Sequence, residues 1–452
     1  MQLKEYSYSK DFILNSMAAA VAIFLHLWGV FSIGQQEYLL ASVLLLVGQF
    51  VLGMQIQWKI NNGLHVSDIR IGFLVFYFLY GVVLPLSTLF GFGSVQGTYP
   101  GDPGLYGAAF LYASGLLAFN IVQIFWPTKW KNPELRENVK KQYFVGSIII
   151  LLVLLYGVIF YALSLGVELR FDIDRSGRSH LNIQSWVVLI FVLQGVIYYL
   201  LWQFRNMKLI SRLMVLSGFS LFVLFAMLSL GERRSFFPLL LFSLAIYNSQ
   251  RKLRVGVGAV ALFFVLGIGM FSVGAIRERK FLPEQTLIEE IQQTFSNNEF
   301  SIPIQNLMAY INTPNKWAPR WGITYVSWPG YFVPREWWSD KPVSLSAQVP
   351  KDTGWGVPAY TPVVEAFVNF LWVGPFLVCG IFSVLMNFMV RRAAVYPVLY
   401  FVFLSYVVDF NRGEVGLTLY GIFVALGMFA IMTFIRSLDF FESKREMCRS
   451  HL

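Results

Sequence analysis

FVGSIIILLVLLYGVIFYALSL, residues 144–165, contains no charged side chain and is apolar around the whole circumference of a helix. A helix at the surface of a soluble protein is apolar along one stripe only. About 20 apolar residues are enough to cross the roughly 30 Å of hydrocarbon in a bilayer. Residues 255–275, VGVGAVALFFVLGIGMFSVGA, have the same character. Both stretches therefore predict helices that span a membrane.

The composition of the whole chain also indicates a membrane protein. Of 452 residues, 56% are hydrophobic and 13% are charged, and the mean hydropathy is +0.59. Ordinary soluble domains contain about 25% charged residues. The net charge of +10 comes from basic residues scattered between apolar runs, with no basic stripe, so a nucleic-acid partner is not expected. We expect an all-α, polytopic integral membrane protein.

Apolar runs of about 20 residues predict about 12 spans. The first run lacks a small-residue cleavage pattern, so it is expected to be a retained helix rather than a signal peptide. The chain then divides into residues 1–275 with helices 1–9, a large extracytoplasmic loop at residues 276–361, and residues 362–452 with helices 10–12 and a cytoplasmic tail. The predicted spans are residues 12–33, 38–57, 71–92, 105–126, 143–166, 184–204, 213–231, 235–250, 255–275, 362–389, 394–409 and 416–435.

Basic residues predict the orientation of the spans. If the N-terminus is cytoplasmic, the inward segments hold about 21 Lys and Arg, against about 6 in the short outward loops. Because short loops rich in Lys and Arg stay on the cytoplasmic side, both termini are expected there. The long loop contains a predicted amphipathic helix at residues 283–295, followed by a tract rich in Trp, Tyr, Pro and Gly.

Two short turns hold charges at the outer end of the spans. Only about 38 residues lie between Arg212 and Arg251, and about 43 between Arg392 and Arg436, whereas two crossings need about 40. Charges in these turns are expected at the hydrocarbon edge, where they are costly unless paired or facing water. They form either salt-bridged anchors or a polar site, and both interpretations stay open. The residues concerned are Glu232, Arg233, Arg234, Asp409, Arg412 and Glu414, with Glu365 one turn into the next span.

The aromatic residues of the long loop also have two interpretations. Trp and Tyr suit a membrane interface and equally suit stacking on sugar rings. They alternate here with Arg, Lys and Asp, the mixture that a hydroxyl-rich anionic ligand requires. Zinc-like spacing, a phosphate-binding Gly-rich loop and a G-x-S-x-G elbow are all missing, and His180 is the only His expected outside. We expect no metal, no cofactor and no disulfide.

The sequence FVPREWWSDKP at residues 332–342, followed by VVEAFVNF at residues 363–370 and by Gly374, resembles the O-antigen polymerase family. In many members a stretch like I-P-R-x-x-W-P-x-K-P ends the large periplasmic loop, and an acidic residue with an aromatic and Asn-Phe opens the next helix. GERR at residues 231–234 and NRG at residues 411–413 resemble two further arginine positions. The resemblance covers roughly residues 224–433, and it departs from the family at Ser339 and Asp340, where Pro is common.

The resemblance implies a membrane glycosyltransferase on the outer face of the bacterial cytoplasmic membrane. It would join polyprenyl-diphosphate-linked oligosaccharide repeat units into a surface polysaccharide such as that of lipopolysaccharide. Expected partners are the polyprenyl-diphosphate-linked oligosaccharide, membrane lipid and a chain-length regulator protein. The residues expected to bind the diphosphate or the sugars are Arg233, Arg234, Arg335, Arg412, Lys341, Trp337 and Trp338.

Glu365 is the first choice for the base that deprotonates the attacking hydroxyl, because an idle carboxylate is disfavoured at the edge of a span. Asp340 is the alternative base, and Glu365 could instead pair with an Arg and only fix its helix. An O-antigen ligase is a second function to consider, although the loop lacks the outward His that ligases tend to use. A flippase is a third, although transporters usually show two similar halves and charges near the midplane.

Overall fold

A computed structural model of the chain describes residues 35–65, 67–91, 102–131, 145–164, 183–204, 207–215, 217–218, 238–239, 241–243, 245–246, 300–333, 337–338, 345–354 and 360–449. These residues are predominantly helical and include no β-strand. The predicted spans 12–33 and 255–275, most of 213–231 and 235–250, and the predicted helix 283–295 lie outside them.

The described helices match the predicted all-α architecture. Five stretches are long and apolar enough to cross a membrane: Glu37–Asn61, Ile69–Leu89, Pro103–Phe125, Pro362–Arg392 and Val415–Ile435. Each overlaps a predicted span, so a membrane-embedded all-α protein is confirmed at this level. The helices are α1 (Gln35–Asn61), α2 (Ile69–Leu89), α3 (Pro103–Phe125), α4 (Val145–Ser164), α5 (Ile183–Gln203), α6 (Ile302–Asn312), α7 (Ile323–Val326), α8 (Leu345–Thr353), α9 (Pro362–Phe370), α10 (Gly374–Arg392), α11 (Pro397–Ser405), α12 (Val407–Arg412) and α13 (Val415–Arg449).

Contacts between helices give their relative directions. The rings of Tyr38 and Tyr106 lie 5.4 Å apart, and Gln57 donates to Gln123 near the other ends of the same two helices, so α1 and α3 are parallel. Trp372, just before α10, lies against Gly107 near the start of α3, and Ser383 within α10 donates to the Phe119 carbonyl near the end of α3 at 3.0 Å. These two contacts make α10 parallel to α3. These directions agree with chain segments that cross a membrane back and forth.

The predicted span 362–389 falls within the candidate span Pro362–Arg392, which the structure breaks into α9 and α10. A short 3-10 turn, Leu371–Val373, separates the two helices, and Leu371 has a φ of 56°. Gly374 lies directly against the carbonyl of Ala366, leaving no room for a Cβ. Residues eight apart in one helix would be about 12 Å apart along the axis, so the chain bends sharply here.

A buried polar network closes the end of the bundle where α2 begins and α10 ends, called here the Arg70 end. Arg70 and Asp68 are fully buried and form a two-pronged ion pair, with Nη2 2.6 Å from Oδ2 and Nε 2.9 Å from Oδ1. Arg70 Nη1 also donates to the Thr128 carbonyl, Gln123 and Asn387. The network joins the ends of three candidate spans.

The described part of the long loop packs into the opposite end of the bundle. Residues along α6 are largely buried, and Asn312 at its end donates to Asp102 at 3.1 Å, beside the start of α3. At its beginning, the Phe300 ring lies 4.9 Å from the ring of Tyr80, well inside α2. This end of the bundle also holds Glu365 and is called the Glu365 end.

Candidate functional site

Glu365 lies in the first turn of α9 and is completely buried. The Thr361 side chain caps this helix by accepting a hydrogen bond from Val364 N, and Pro362 occupies the first helical position. Pro suits that position because its missing N–H would have no partner within the helix. A carboxylate in the first turn is stabilised by the remaining unpaired N–H groups and by the helix dipole. The local sequence therefore explains a helix start that carries a buried acid.

Each oxygen of the Glu365 carboxylate accepts one hydrogen bond. Thr324 Oγ1 donates to Oε1 at 2.7 Å, and Val415 N donates to Oε2 at 2.8 Å. Val415 begins α13, so its N–H is among those that a helix leaves unpaired. No Lys, Arg or His in the described part of the chain forms an ion pair with Glu365. Within that part, neutral groups alone hold the acid.

Asn369, one helical turn after Glu365, fixes the direction of these hydrogen bonds. Its Nδ2 donates to Thr324 Oγ1 and to the Glu365 carbonyl, both at 2.7 Å, and its Oδ1 accepts from Gly322 N at 2.8 Å. Because Thr324 Oγ1 accepts from Asn369, its single proton is directed to Glu365. Asn369 is fully buried, whereas Thr324 is partly buried, so the chain of donors runs from the protein interior to the loop.

Backbone bonds attach the loop to the end of α9. Arg320 N donates to the Val368 carbonyl at 3.0 Å, and Trp321 N donates to the Asn369 carbonyl at 3.2 Å. Gly322 follows with a φ of 85°, a conformation that glycine adopts without steric cost. This turn carries the chain back so that Thr324 reaches the Glu365 carboxylate.

Tyr325, the neighbour of Thr324, has a buried hydroxyl with no hydrogen-bond partner within the described residues. Its ring is parallel to that of Phe370, with centroids 6.2 Å apart. Burial, and then the charge of Glu365, raise the pKa of Tyr325, so the phenol keeps its proton. Unsatisfied buried polar groups are uncommon in folded proteins and often mark a site of function. Tyr325 therefore adds an available donor beside Glu365.

A second acid, Glu414, lies on the same side of the site. It is buried and accepts a hydrogen bond from the Tyr331 hydroxyl at 3.1 Å. Burial, and then the Glu414 charge, raise the pKa of Tyr331, which keeps it a donor. Glu414 immediately precedes Val415, so the start of α13 contacts the loop through Tyr331 and contacts α9 through Glu365.

A largely buried ion pair lies further along the loop, with the two side chains only 22% and 19% exposed. Arg320 Nη2 is 2.6 Å from Asp352 Oδ2, which also accepts from the Tyr310 hydroxyl at 2.9 Å. Burial raises the pKa of Tyr310. Trp317 contacts the Tyr310 ring edge to face and donates to the Tyr310 carbonyl, which holds Tyr310 in place beside Asp352. Because Arg320 N also donates to the Val368 carbonyl, this polar cluster lies next to the end of α9, the helix that carries Glu365.

The structure describes four of the nine residues that the sequence assigns to the site. Glu365 is buried at the centre, and Arg412 ends α12 two residues before Glu414, partly buried. Trp338 packs over Gly330, whereas Trp337 is largely exposed. The other five, Arg233, Arg234, Arg335, Asp340 and Lys341, lie outside the described residues.

Comparison with known proteins gives no relative for this chain: no family model, no curated protein and no solved structure matches it. In the described part of the chain, no group of three or more His, Cys, Asp or Glu side chains is arranged to hold a metal ion.

Sequence reasoning did not assign roles to Thr324, Asn369, Tyr331 or the Val415 N–H. The four-residue spacing of Glu365 and Asn369 places both on one helix face and would have signalled their contact. Thr324 lies 41 residues before Glu365 and carries no comparable signal. Only the folded chain shows that the loop supplies a hydroxyl to the acid.

Proposed function

We propose that this chain is a membrane glycosyltransferase that polymerises polyprenyl-diphosphate-linked oligosaccharide repeat units. One observation carries the proposal: a completely buried carboxylate, Glu365, already accepts a hydrogen bond from a hydroxyl at 2.7 Å. A general base must lie within about 2.6–3.2 Å of the hydroxyl that it deprotonates. The motif resemblance at residues 332–342 and 363–370 supplies the substrate class.

In the proposed reaction, a sugar hydroxyl of the acceptor repeat unit attacks the anomeric carbon of the donor glycan. A new carbon–oxygen bond forms as the bond from the anomeric carbon to the diphosphate breaks. The polyprenyl diphosphate leaves with the electron pair, and Glu365 takes the proton of the attacking hydroxyl. No oxidant, reductant or metal is required for this balance.

Thr324 occupies the place that the acceptor hydroxyl would take. Because Glu365 is completely buried, a substrate needs an opening to reach it, and the proposal places this opening at the partly buried Thr324 hydroxyl. The substrate hydroxyl would then make the same donation to Oε1 that Thr324 makes now. Asn369 would remain as the donor that orients the oxygen of that hydroxyl.

The diphosphate needs positive charge, because negative charge builds up on it as it leaves. Arg supplies this charge through two parallel hydrogen bonds, which suit phosphate oxygens. Arg412 ends α12, two residues before Glu414, and is the candidate for the diphosphate-binding Arg among the residues that the structure describes. The sequence resemblance adds four further diphosphate-binding residues to the proposal: Arg233, Arg234, Arg335 and Lys341. Asp340 stays the alternative base.

The location of the reaction is part of the proposal. We place the Glu365 end at the outer face of a bacterial cytoplasmic membrane, with both termini cytoplasmic. The excess of Lys and Arg in the segments assigned to the inside supports this orientation. A protein that regulates chain length is the proposed partner besides the lipid-linked substrate.

The proposal is tested with purified protein in proteoliposomes that contain a polyprenyl-diphosphate oligosaccharide. Expected products are a ladder of lipid-linked polymers and one released polyprenyl diphosphate for each new linkage. Transfer only to a different lipid acceptor would indicate a ligase instead. Movement of the intact substrate across the bilayer without a new glycosidic bond would indicate a flippase, and either result would overturn the proposal.

A further inference from the structure

The loop segment at residues 321–332 has an apolar face with a regular period. Its exposed side chains include Ile323, Val326, Pro329 and Phe332, three residues apart, with exposures of 52%, 69% and 49% for Ile323, Val326 and Phe332. Ile323 and Val326 lie three residues apart in the short helix α7, and residues at that spacing share one helix face. Pro329 and Phe332 lie in the 3-10 turn Trp328–Phe332, and 3-10 helices repeat every three residues. The period therefore places these four side chains along one side of the segment.

The other side of the segment packs on the protein. Thr324 donates to Glu365, and Tyr331 donates to Glu414. Between them, the Trp328 ring stacks on Phe423 with centroids 5.0 Å apart and an interplanar angle of 11°. These contacts fix the rotation of the segment, so its apolar face points away from the bundle.

The contacts with α13 also give the depth of the segment. Trp328 lies against Gly416, where an added Cβ would be 3.1 Å away, and the Phe332 ring is 4.6 Å from that of Tyr420. Gly416 to Phe423 covers about 10 Å of helix at 1.5 Å per residue. Those residues belong to the candidate membrane span Val415–Ile435, so the segment lies beside the outer part of a span rather than beyond it.

The apolar face continues into the exposed faces of two membrane-spanning helices. At one end, Trp321 bonds to Asn369, beside the exposed residues Leu371–Val373 that lead into α10. At the other end, the stacked residue Phe423 is itself about half exposed on α13. A lipid-facing surface therefore borders the segment on both sides.

The sequence of the segment fits the same surroundings. No charged residue occurs between Arg320 and Arg335, and the stretch contains two Trp, two Tyr and one Phe. Aromatic residues favour the boundary between hydrocarbon and headgroups, and flanking Arg side chains reach toward phosphate groups. If the segment faced water, this long uncharged stretch would form an exposed apolar patch, which soluble surfaces rarely carry without a partner.

We propose that residues 321–332 are embedded in the bilayer at the Glu365 end and that Ile323, Val326, Pro329 and Phe332 contact lipid hydrocarbon. Burial of this apolar face in the bilayer then keeps the opposite side of the segment packed on the site, so Thr324 stays in contact with Glu365. This interaction surface does not depend on the reaction proposed above.

Spin labels on single introduced cysteines test this placement in the full chain. The background is Cys448→Ala, with buried Cys379 retained, and the protein is reconstituted in nanodiscs of phosphatidylethanolamine and phosphatidylglycerol. Labels at Ile323→Cys and Val326→Cys are compared with Ile381→Cys on the exposed face of α10. Asn315→Cys, on the exposed turn after α6, is the water-facing control. Collision rates with oxygen and with a water-soluble nickel chelate are measured by EPR.

We expect the oxygen-to-nickel collision ratio at residues 323 and 326 to match that at 381 and to exceed that at 315 several-fold. A ratio equal to that of Asn315→Cys would place the segment in water and overturn the proposal. Low collision with both reagents would mean that another protein or a second copy covers the face, and it would also overturn the proposal. Because these side chains are exposed, the label needs no space in the core, and Phe332→Cys provides a third position.

Discussion

The two ends of the bundle bury acids in opposite ways. At the Arg70 end, the fully buried Asp68 forms a two-pronged ion pair with Arg70, whose positive charge compensates that of the carboxylate. At the Glu365 end, an equally buried acid is held by a hydroxyl and a backbone N–H within the described residues. Removing one partner of a buried ion pair leaves an uncompensated charge, so such a pair is costly to break. Buried acids without a charged partner cluster at functional sites. We therefore expect one end to be structural and the other functional.

The largest effect is expected from Arg70→Ala, which breaks the paired end. It leaves Asp68 buried without its partner and removes donors from Gln123 and Asn387. The free energy of unfolding should fall by about 3–5 kcal/mol. Unfolding in mixed micelles measures this change, with the exposed Arg392→Ala as the matched control. Equal stability of the two variants would contradict a structural role for the Arg70 end.

At the Glu365 end, Arg412→Ala should lower glycosyl transfer by about 10- to 100-fold. A hydrogen bond to a charged group contributes about 1.5–3 kcal/mol, and about 1.4 kcal/mol corresponds to tenfold in rate. Arg412→Lys should restore little activity, since an ammonium group cannot make the planar two-pronged contact. Arg391→Ala, at the opposite end of the bundle, serves as the control. Equal transfer by both alanine variants would remove Arg412 from the diphosphate site.

Thr324 is one of the two neutral donors that hold the Glu365 carboxylate. Thr324→Val leaves Glu365 Oε1 without its hydroxyl, so stability should fall by about 1–3 kcal/mol. If Thr324 only stands in for a substrate hydroxyl, transfer should fall less than about tenfold. Thr433→Val removes an exposed hydroxyl that donates to a helix carbonyl and is the matched control. Complete loss of transfer in a stable Thr324→Val protein would mean that Thr324 itself takes part in the chemistry.

The smallest effect is expected from Tyr331→Phe, which removes the donor to Glu414 and keeps the ring. The loss of stability should be about 0.5–1.5 kcal/mol. Tyr396→Phe, on an exposed ring at the Arg70 end, should change stability less. A larger effect at Tyr396 would argue against the described contact between the loop and α13.

Hydropathy predicted the described spans well because the signal is local. The predicted span 71–92 corresponds to α2 at Ile69–Leu89, and 105–126 corresponds to α3 at Pro103–Phe125. It missed the break at Leu371–Val373, since those residues are as apolar as the helices around them. The break depends on Leu371 adopting a positive φ and on the close approach of Gly374 to Ala366. The Gly374–Pro375 pair was an available signal for a new helix start.

The predicted span 394–409 was also only partly correct. The structure divides this region into α11, Pro397–Ser405, and α12, Val407–Arg412. Tyr406 separates them and donates its hydroxyl proton to Gln194 of α5 at 2.6 Å. A contact with a residue 212 positions away cannot be read from local hydropathy.

The two buried acids show what a single sequence can and cannot reveal. Glu365 was predictable as a costly carboxylate at the start of a span. Arg70 and Asp68 fall just before the predicted span 71–92 and received no role from the sequence, because their burial depends on Gln123 and Asn387 from distant helices. Long-range contacts of this kind have no periodic signature, so the structural role of the Arg70 end emerges only from the fold.

The most direct test of the account is the transfer rate of Glu365→Gln in proteoliposomes with lipid-linked repeat units, measured beside its stability. Glutamine keeps the shape of the side chain and removes its basicity. We predict that transfer falls by about 10²–10⁴-fold, the usual contribution of a general base, while substrate binding stays close to that of the unaltered protein. The free energy of unfolding should fall by no more than about 1–3 kcal/mol, because the amide nitrogen cannot accept the hydrogen bond that one carboxylate oxygen accepts now. Glu37→Gln, an exposed carboxylate in the first turn of α1, should change neither. Near-normal polymer from a folded Glu365→Gln protein would contradict the account.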